Sequence, residues 1–277
     1  MENYMRRLTP EATGKYVQLL QRDVFRSTTR WPQFDLLVTD LVRLSETLPA
    51  GTRVISLERN LLYGGRSLFR PLFHHCDFTS VEMTPPNNSS RGSYNEHLLD
   101  NILSEFGNEL FETQHHSPND PKSLSSVRVL KSGEAEVLLV PNLLHHVQDL
   151  PQFFSDLGRI LAPDGVGYIF DSTLREWHQI PDDYYRLTPW AIEHELQKIG
   201  CSIKNVETTG NPFEAILYCW EQALEYLPEA DRERWANWLR DEHQPELRRL
   251  AEFSDTNLLR RHTAFPTAYA VTFERGE

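Results

Sequence analysis

Residues 136–172, EVLLVPNLLHHVQDLPQFFSDLGRILAPDGVGYIFDS, leave this chain few folds to choose from. Val137–Val140 is a short, β-branched apolar run, which suits a strand buried on both faces. Asn142–Val147 then leaves the sheet carrying paired histidines. Asp149 can cap the next helix, and Gln152 three residues later completes a capping box. Leu150, Phe153, Phe154, Leu157, Ile160 and Leu161 recur at helical spacing and give that helix one apolar stripe. Ala162-Pro163-Asp164-Gly165 reads as the turn that stops it, and Val166–Phe170 as a second buried strand ending at Asp171. A strand, one helix and another strand in so short a stretch are parallel neighbours joined by a crossover. Open sheets of that kind bind ligands outside the carboxyl ends of their strands.

The rest of the chain extends this unit in both directions. Helices are predicted over Glu11–Phe25 and from Phe34 to Leu48, ahead of a first strand at Arg53–Leu57. Arg66–Phe73 reads as a helix, Phe78–Met83 as a second strand, and Tyr94–Phe111 as another helix. Val127–Leu130 is a weaker third strand. Thr188-Pro189 supplies an N-cap and a first-turn proline for Trp190–Ile199, with Gly200 just past the end. Cys201–Thr208 and Ala268–Phe273 are the last two strands. Between them lie three helical stretches, Phe213–Leu227, Asp231–Glu242 and Leu247–Leu259. Trp220, Trp235, Trp238 and Phe253 ride on these stretches. That aromatic content leads us to expect an arm that roofs a substrate cleft or forms a homodimer contact. Plain packing as core is the competing expectation.

Charge excludes one class of partner. Against 40 acidic residues stand 28 Lys and Arg, a net −12, the reverse of a nucleic-acid footprint. Cys76, Cys201 and Cys219 have neither metal spacing nor an even count, so they read as reduced and mostly buried. The amino-terminal residues lack the apolar core of a secretory signal, and no run of 18 apolar residues is present. The expectation is a soluble, cytoplasmic protein with a small-molecule substrate, no nucleic-acid partner and no membrane association.

The order of buried strand, Asn-Leu-Leu-His-His-Val, acidic helix start, Arg-Ile-Leu-Ala-Pro-Asp-Gly and strand resembles strands four and five of class I S-adenosylmethionine methyltransferases. The likeness runs from about residue 50 to about residue 210. His178, Pro181, Asp183, Tyr184, Tyr185, Arg186 and Thr188 resemble a branch acting on sugars, glycans and other small metabolites. The resemblance implies an α/β fold: a doubly wound, seven-stranded, mostly parallel sheet with an antiparallel final pair. It divides the chain into an N-terminal helical segment (1–50), a core (51–208), a helical insertion (209–266) and a last core strand (267–277). It implies S-adenosylmethionine as cofactor, with Glu82 holding the ribose, since a carboxylate offers two acceptors to a vicinal diol. The Glu58–Gly65 loop would pass beneath the amino-acid part of the cofactor, bringing Glu58, Gly64 and Gly65 to it, with Asn142 beside them. The family carries an acid where this chain has Ser56, and its first glycine where this chain has Glu58. Those departures support an alternative: a methyltransferase-like protein that binds or scaffolds a partner, or catalyses another reaction.

Candidate catalytic residues follow the fourth and fifth strands. His145 or His146 could act as a general base, because an unperturbed imidazole titrates near neutrality. His178, Asp182, Asp183, Tyr184 and Arg186 form the densest polar cluster. An Asp–His pair there could hold one tautomer, and Arg186 could bind a carboxylate or phosphate. A loop whose Asp–Arg pair only fixes its shape explains the cluster equally well. Three His-His pairs, at 74–75, 115–116 and 145–146, lack the spacing that puts two ligands on one face, so no metal is expected. Gly-x-Ser-x-Gly elbows and Walker loops are absent from the sequence, which leaves hydrolase and nucleotide-triphosphatase readings unsupported.

Overall fold

The computed structural model describes residues 9–24, 33–59, 62–63, 66–83, 130–177, 180–257 and 265–276. Two helices, α1 (Pro10–Leu19) and α2 (Phe34–Thr47), precede strand β1 (Arg53–Glu58). A small hairpin, β2 (Leu62–Tyr63) and β3 (Arg66–Ser67), leads through a 3-10 turn to β4 (Asp77–Glu82). Then come β5 (Ala135–Pro141), α3 (Leu150–Ile160), β6 (Leu161–Ser172), α4 (Pro189–Lys198) and β7 (Cys201–Thr209). An arm of α5 (Pro212–Leu224), α6 (Glu229–Asn237) and α7 (Gln244–Asn257) separates β7 from β8 (Ala268–Arg275).

Six described strands form one sheet in the order β4-β1-β5-β6-β8-β7. The first four are mutually parallel, and β8 runs antiparallel between β6 and β7. The pairing of Val137 with Val166 through Pro141 with Phe170 is the parallel neighbourhood that the 136–172 stretch predicts. The expected third strand, 127–130, lies outside the described residues except for Leu130.

Sheet alternation sends side chains to two cores. Ile55, Leu57, Leu138, Val140, Ile169, Val271 and Phe273 face α3 and α4. Val54, Phe78, Val137, Leu139, Tyr168 and Phe170 face α1, α2 and the 3-10 turn. Helices on both faces make the sheet doubly wound.

Three local expectations need correction. Residues 66–73 are a strand followed by a 3-10 turn (Arg70–Phe73), not a helix. Ser67 Oγ accepts the Phe69 N–H at 3.1 Å, a local bond that competes with helix formation. Ala162–Gly165 is not a turn between helix and strand: the helix already ends at Ile160, and these residues are carried within β6 where its pairing with β5 shifts register between Ala135 and Val137. The capping box is half built: Asp149 accepts the Gln152 N–H at 3.1 Å, whereas the Gln152 side chain donates to Asp156 at 3.2 Å. Cys219 is exposed, while Cys76 and Cys201 are buried.

In the arm, Asn211 caps α5 by accepting the Phe213 and Glu214 N–H groups. Trp220, Trp235 and Trp238 pack on one another with centroids 5.2–5.9 Å apart, and His243 stacks edgewise on Trp238. The three tryptophans, each half-buried, thus pack against one another within the arm. The Phe253 side chain lies outside the described residues. Among the described residues, no helix is long and apolar enough to cross a membrane.

Where α2 meets the sheet, the Asp40 side chain is 10% exposed and accepts the Tyr168 phenol at 3.1 Å. Burial, and then repulsion from Glu207, push this carboxyl from 3.8 up to about 6. A raised folded value means the folded chain keeps its proton where the unfolded chain has lost it. The stability from this group is complete below pH 3.8 and is lost as pH rises through about 6, a change of about 3 kcal/mol. Asp40→Asn is expected to be more stable than wild type at pH 7, with the gap closing toward pH 4. Parallel stability curves in urea titrations across that range would refute the assignment.

Candidate functional site

From β1 the chain moves outward to β4 and then returns to β5 on the opposite side of β1. Such a reversal of strand order, here at the carboxyl ends of β1 and β5, is where open α/β sheets receive ligands. Strand ends, the 3-10 turn Leu144–His146 and the loop between β6 and α4 meet at that edge.

On the β1 side, Glu58 is fully buried and accepts Ser67 Oγ–H at 2.6 Å. Its alternation places it on the α1 face, where the buried Tyr16 donates its hydroxyl to Leu68 O at 2.6 Å. Burial first, and the Glu58 charge second, hold the Tyr16 phenol well above its ordinary value. Glu58 is the register partner of Glu82, so the two acidic residues end adjacent parallel strands. The Glu82 side chain, Gly64 and Gly65 lie outside the described residues. Ser56, at the position of the family acid, is sealed inside the sheet opposite Ser80 and reaches no ligand surface.

Arg59 follows directly. Its side chain is 3% exposed and donates from Nη2 to Asp182 Oδ2 at 3.1 Å, linking positions 123 apart in sequence. The Asp182 backbone carbonyl accepts the His146 Nδ1–H, and Asp182 Oδ1 accepts the Tyr184 hydroxyl at 3.0 Å. Because a carbonyl only accepts, His146 carries its proton on Nδ1, and the neutral ring has its lone pair on Nε2. Burial and the bond to Asp182 push the Tyr184 phenol up.

On the β5 and β6 side, His145 is buried, with Nδ1 2.7 Å from Asp171 Oδ1. Asp171 also accepts the His145 N–H at 3.1 Å and the Ser172 N–H at 2.7 Å. The Tyr184 N–H donates to the His145 carbonyl at 2.7 Å, which stitches the loop to this turn. Asn142 adopts φ 55°, a left-handed conformation that asparagine tolerates better than most residues. Its side chain accepts from Arg175 Nη1 at 3.3 Å. The Tyr269 hydroxyl, register partner of Asp171, is buried without a hydrogen-bond partner among the described residues.

The predicted cluster after β6 divides. Arg186 forks onto Asp183 at 2.6 and 2.9 Å and donates to the carbonyls of Tyr185 and Glu176. The Asp183 bond raises the Arg186 guanidinium further. Among the described residues, Asp183 is engaged by Arg186, a pairing that ties the loop to itself. A different Asp–His pair, Asp171 with His145, is seen at the ends of β6 and β5. His178 lies outside the described residues. Of the other candidates, His145, His146 and Tyr184 join one network that also contains Arg59, Asp171 and Asp182. Sequence reasoning passed over Arg59 and Asp171; for Asp171 the signal is a charge at the end of the apolar run Val166–Phe170.

No protein-family model matches the sequence, and no curated protein matches it. Solved structures do. The chain superposes on a proposed sarcosine dimethylglycine methyltransferase from Galdieria sulphuraria with TM-score 0.50 at 12% identity, covering 87% of this chain and 84% of that one. A SAM-dependent methyltransferase from Archaeoglobus fulgidus gives 0.49 at 13% identity, with 92% and 98% covered. Phosphoethanolamine N-methyltransferase 2 from Haemonchus contortus, in complex with S-adenosyl-L-methionine, gives 0.44 at 14% identity. That match covers 95% of this chain but only 60% of the other. At 12% identity the likeness to the Galdieria sulphuraria structure speaks to architecture alone. The chain has the Rossmann-like fold of the S-adenosylmethionine-dependent methyltransferases.

Proposed function

We propose that this protein transfers a methyl group from S-adenosylmethionine to a small polar metabolite or glycan-linked group. The observation that carries this reading is the β1–β4 register, which sets Glu82 at the end of the strand beside the reversal of strand order. A carboxylate residue there suits a ribose diol, and the buried guanidinium of Arg59 suits a carboxylate. The glycine cradle is the part of the cofactor site this chain lacks, since Glu58 stands at its first position. The cofactor, when bound, supplies a methyl group already activated on a sulfonium. The protein's task is then mostly alignment. For a hydroxyl or protonated-amine acceptor, His146 is the favoured general base, because its Nδ1–H is held by the Asp182 carbonyl.

Calorimetry with S-adenosylmethionine and S-adenosylhomocysteine tests the reading. Wild type should bind both, and Glu82→Ala should weaken binding by about tenfold or more through loss of charge-assisted hydrogen bonds. Folded protein that binds neither would end it. A second reading, a methyltransferase-like binding protein or an enzyme of another reaction, is favoured by one observation: the buried Arg59 guanidinium already holds the Asp182 carboxylate. Activity that persists without S-adenosylmethionine, or partner binding unaffected by Glu82→Ala, would select it.

A further inference from the structure

We propose that the cavity between α2 and the β6-β8-β7 part of the sheet binds a small organic ammonium ion, held between the carboxylates of Asp40 and Glu207. The cavity measures about 230 Å³, and none of its lining belongs to the strand-end network. Sheet register builds its floor. Tyr168, Thr272 and Asn205 pair in one row across β6, β8 and β7, and Ala270 pairs with Glu207 two residues along. Only the small side chains of Ala270 and Thr272 therefore stand between the Tyr168 phenol and the polar pair on β7, which leaves space beside α2. Asp40, Arg43 and Leu44 of α2 form the wall. The volume is below the roughly 300 Å³ at which pockets for drug-sized ligands begin, so it suits an amine of a few carbons.

The polar atoms select a cation. Asp40 is 9% exposed, and its Oδ2 accepts the Tyr168 phenol at 3.1 Å. Glu207 Oε1 accepts from Asn205 Nδ2 at 3.0 Å. The other oxygen of each carboxylate has only Arg43 beside it among the described residues, at 3.6 Å from Asp40 Oδ1 and 3.7 Å from Glu207 Oε2. Those separations are too long for hydrogen bonds, and an ion pair made by a side chain 65% exposed holds little. An ammonium group has three N–H donors and no acceptor, so it can bond both oxygens at once. A carboxylate or phosphate would instead meet the two acids as a like charge. Two carboxylates and one guanidinium also leave one negative charge for a monocation to neutralise. Burial, and then Glu207, push the Asp40 carboxyl up to about 6, and a cation between the acids relieves that repulsion. The charged or titratable groups lining the cavity around Asp40 are Arg43 on α2, Tyr168 on β6 and Glu207 on β7, with none from β8.

The test titrates the protein with butylammonium chloride, with n-butanol as its uncharged match, and reads the NMR shifts of the Ala270 and Thr272 amides. Wild type should show a saturable shift with butylammonium near neutral pH and none with butanol. Asp40→Asn and Glu207→Gln should each weaken the affinity about tenfold through loss of a charge-assisted hydrogen bond. Arg43→Ala should bind at least as tightly as wild type, because its guanidinium competes for the same oxygens. The ammonium keeps its charge well above neutrality, so pH acts through the acids. Lowering the pH from about 7.5 to about 5 protonates Asp40 in the free protein and should weaken wild-type binding about tenfold, a dependence largely lost in Asp40→Asn. No saturable shift, equal shifts from butanol, or an affinity unchanged in either carboxylate variant would overturn the inference. Each of these outcomes leaves the methyl-donor reading, with its own calorimetry, intact.

Discussion

Asp171→Ala is expected to cost about 4 kcal/mol of folding stability, because three donors lose their acceptor together. The carboxylate is 3% exposed and takes the His145 ring N–H, the His145 main-chain N–H and the Ser172 N–H. Each unsatisfied buried donor costs about 1–3 kcal/mol, and water entering the vacated space offsets part of the sum. Asp171→Asn keeps the volume but offers one acceptor oxygen and turns an NH2 toward a donor, so about half the loss should remain. The damage should spread to the loop after β6, since the Tyr184 N–H hangs on the His145 carbonyl. Urea denaturation gives the stability, and hydrogen exchange at the Tyr184 amide gives the spread. A loss below about 1 kcal/mol, with Tyr184 protection intact, would mean that the turn holds itself without Asp171.

Gly167→Ala is the other large effect, at about 3 kcal/mol or more. Gly167 lies in β6 directly opposite Phe273 of β8, and the phenyl ring lies over the glycine. A methyl group there would come within 2.0 Å of Phe273 Cζ and 2.2 Å of Cε1. Phe273 is fully buried among residues of the α3–α4 face, so the ring cannot swing away without disturbing the core. Phe273→Ala should itself lose about 3–5 kcal/mol through the cavity it leaves. The double variant Gly167→Ala/Phe273→Ala should be more stable than the sum of the two losses by at least about 1 kcal/mol, since the clash and the cavity share one space. Strict additivity in denaturant titrations would show that the ring and the glycine are not coupled.

Residues 136–172 announced their structure because the forces that shape them act over one or two turns. A β-branched run, a capping aspartate and a stripe at helical spacing are short-range features, and β5, α3 and β6 lie where they point. Thr188 with Pro189, and Gly200 at φ 72°, mark α4 for the same reason. Where a local rule failed, a local competitor won, as with Ser67 drawing the Phe69 N–H out of the helix expected at 66–73. The site was legible only as an edge. His145, His146, Tyr184 and Arg186 could be named in advance, but their partners could not. Asp183 and Asp171 are both aspartates near a histidine in sequence. The β5–β6 register sets Asp171 beside the turn after β5 and gives it the His145 ring, while Asp183 takes Arg186 three residues on. Arg59 and Asp182 are 123 positions apart, and no periodicity links them. They meet because the sheet order sets the end of β1 near the loop after β6, with β5 between those strands. Local propensity determined which segments become strands and helices; the order in which the strands pair decided which charges face each other, because a buried charge takes its partner from whatever the fold brings within reach.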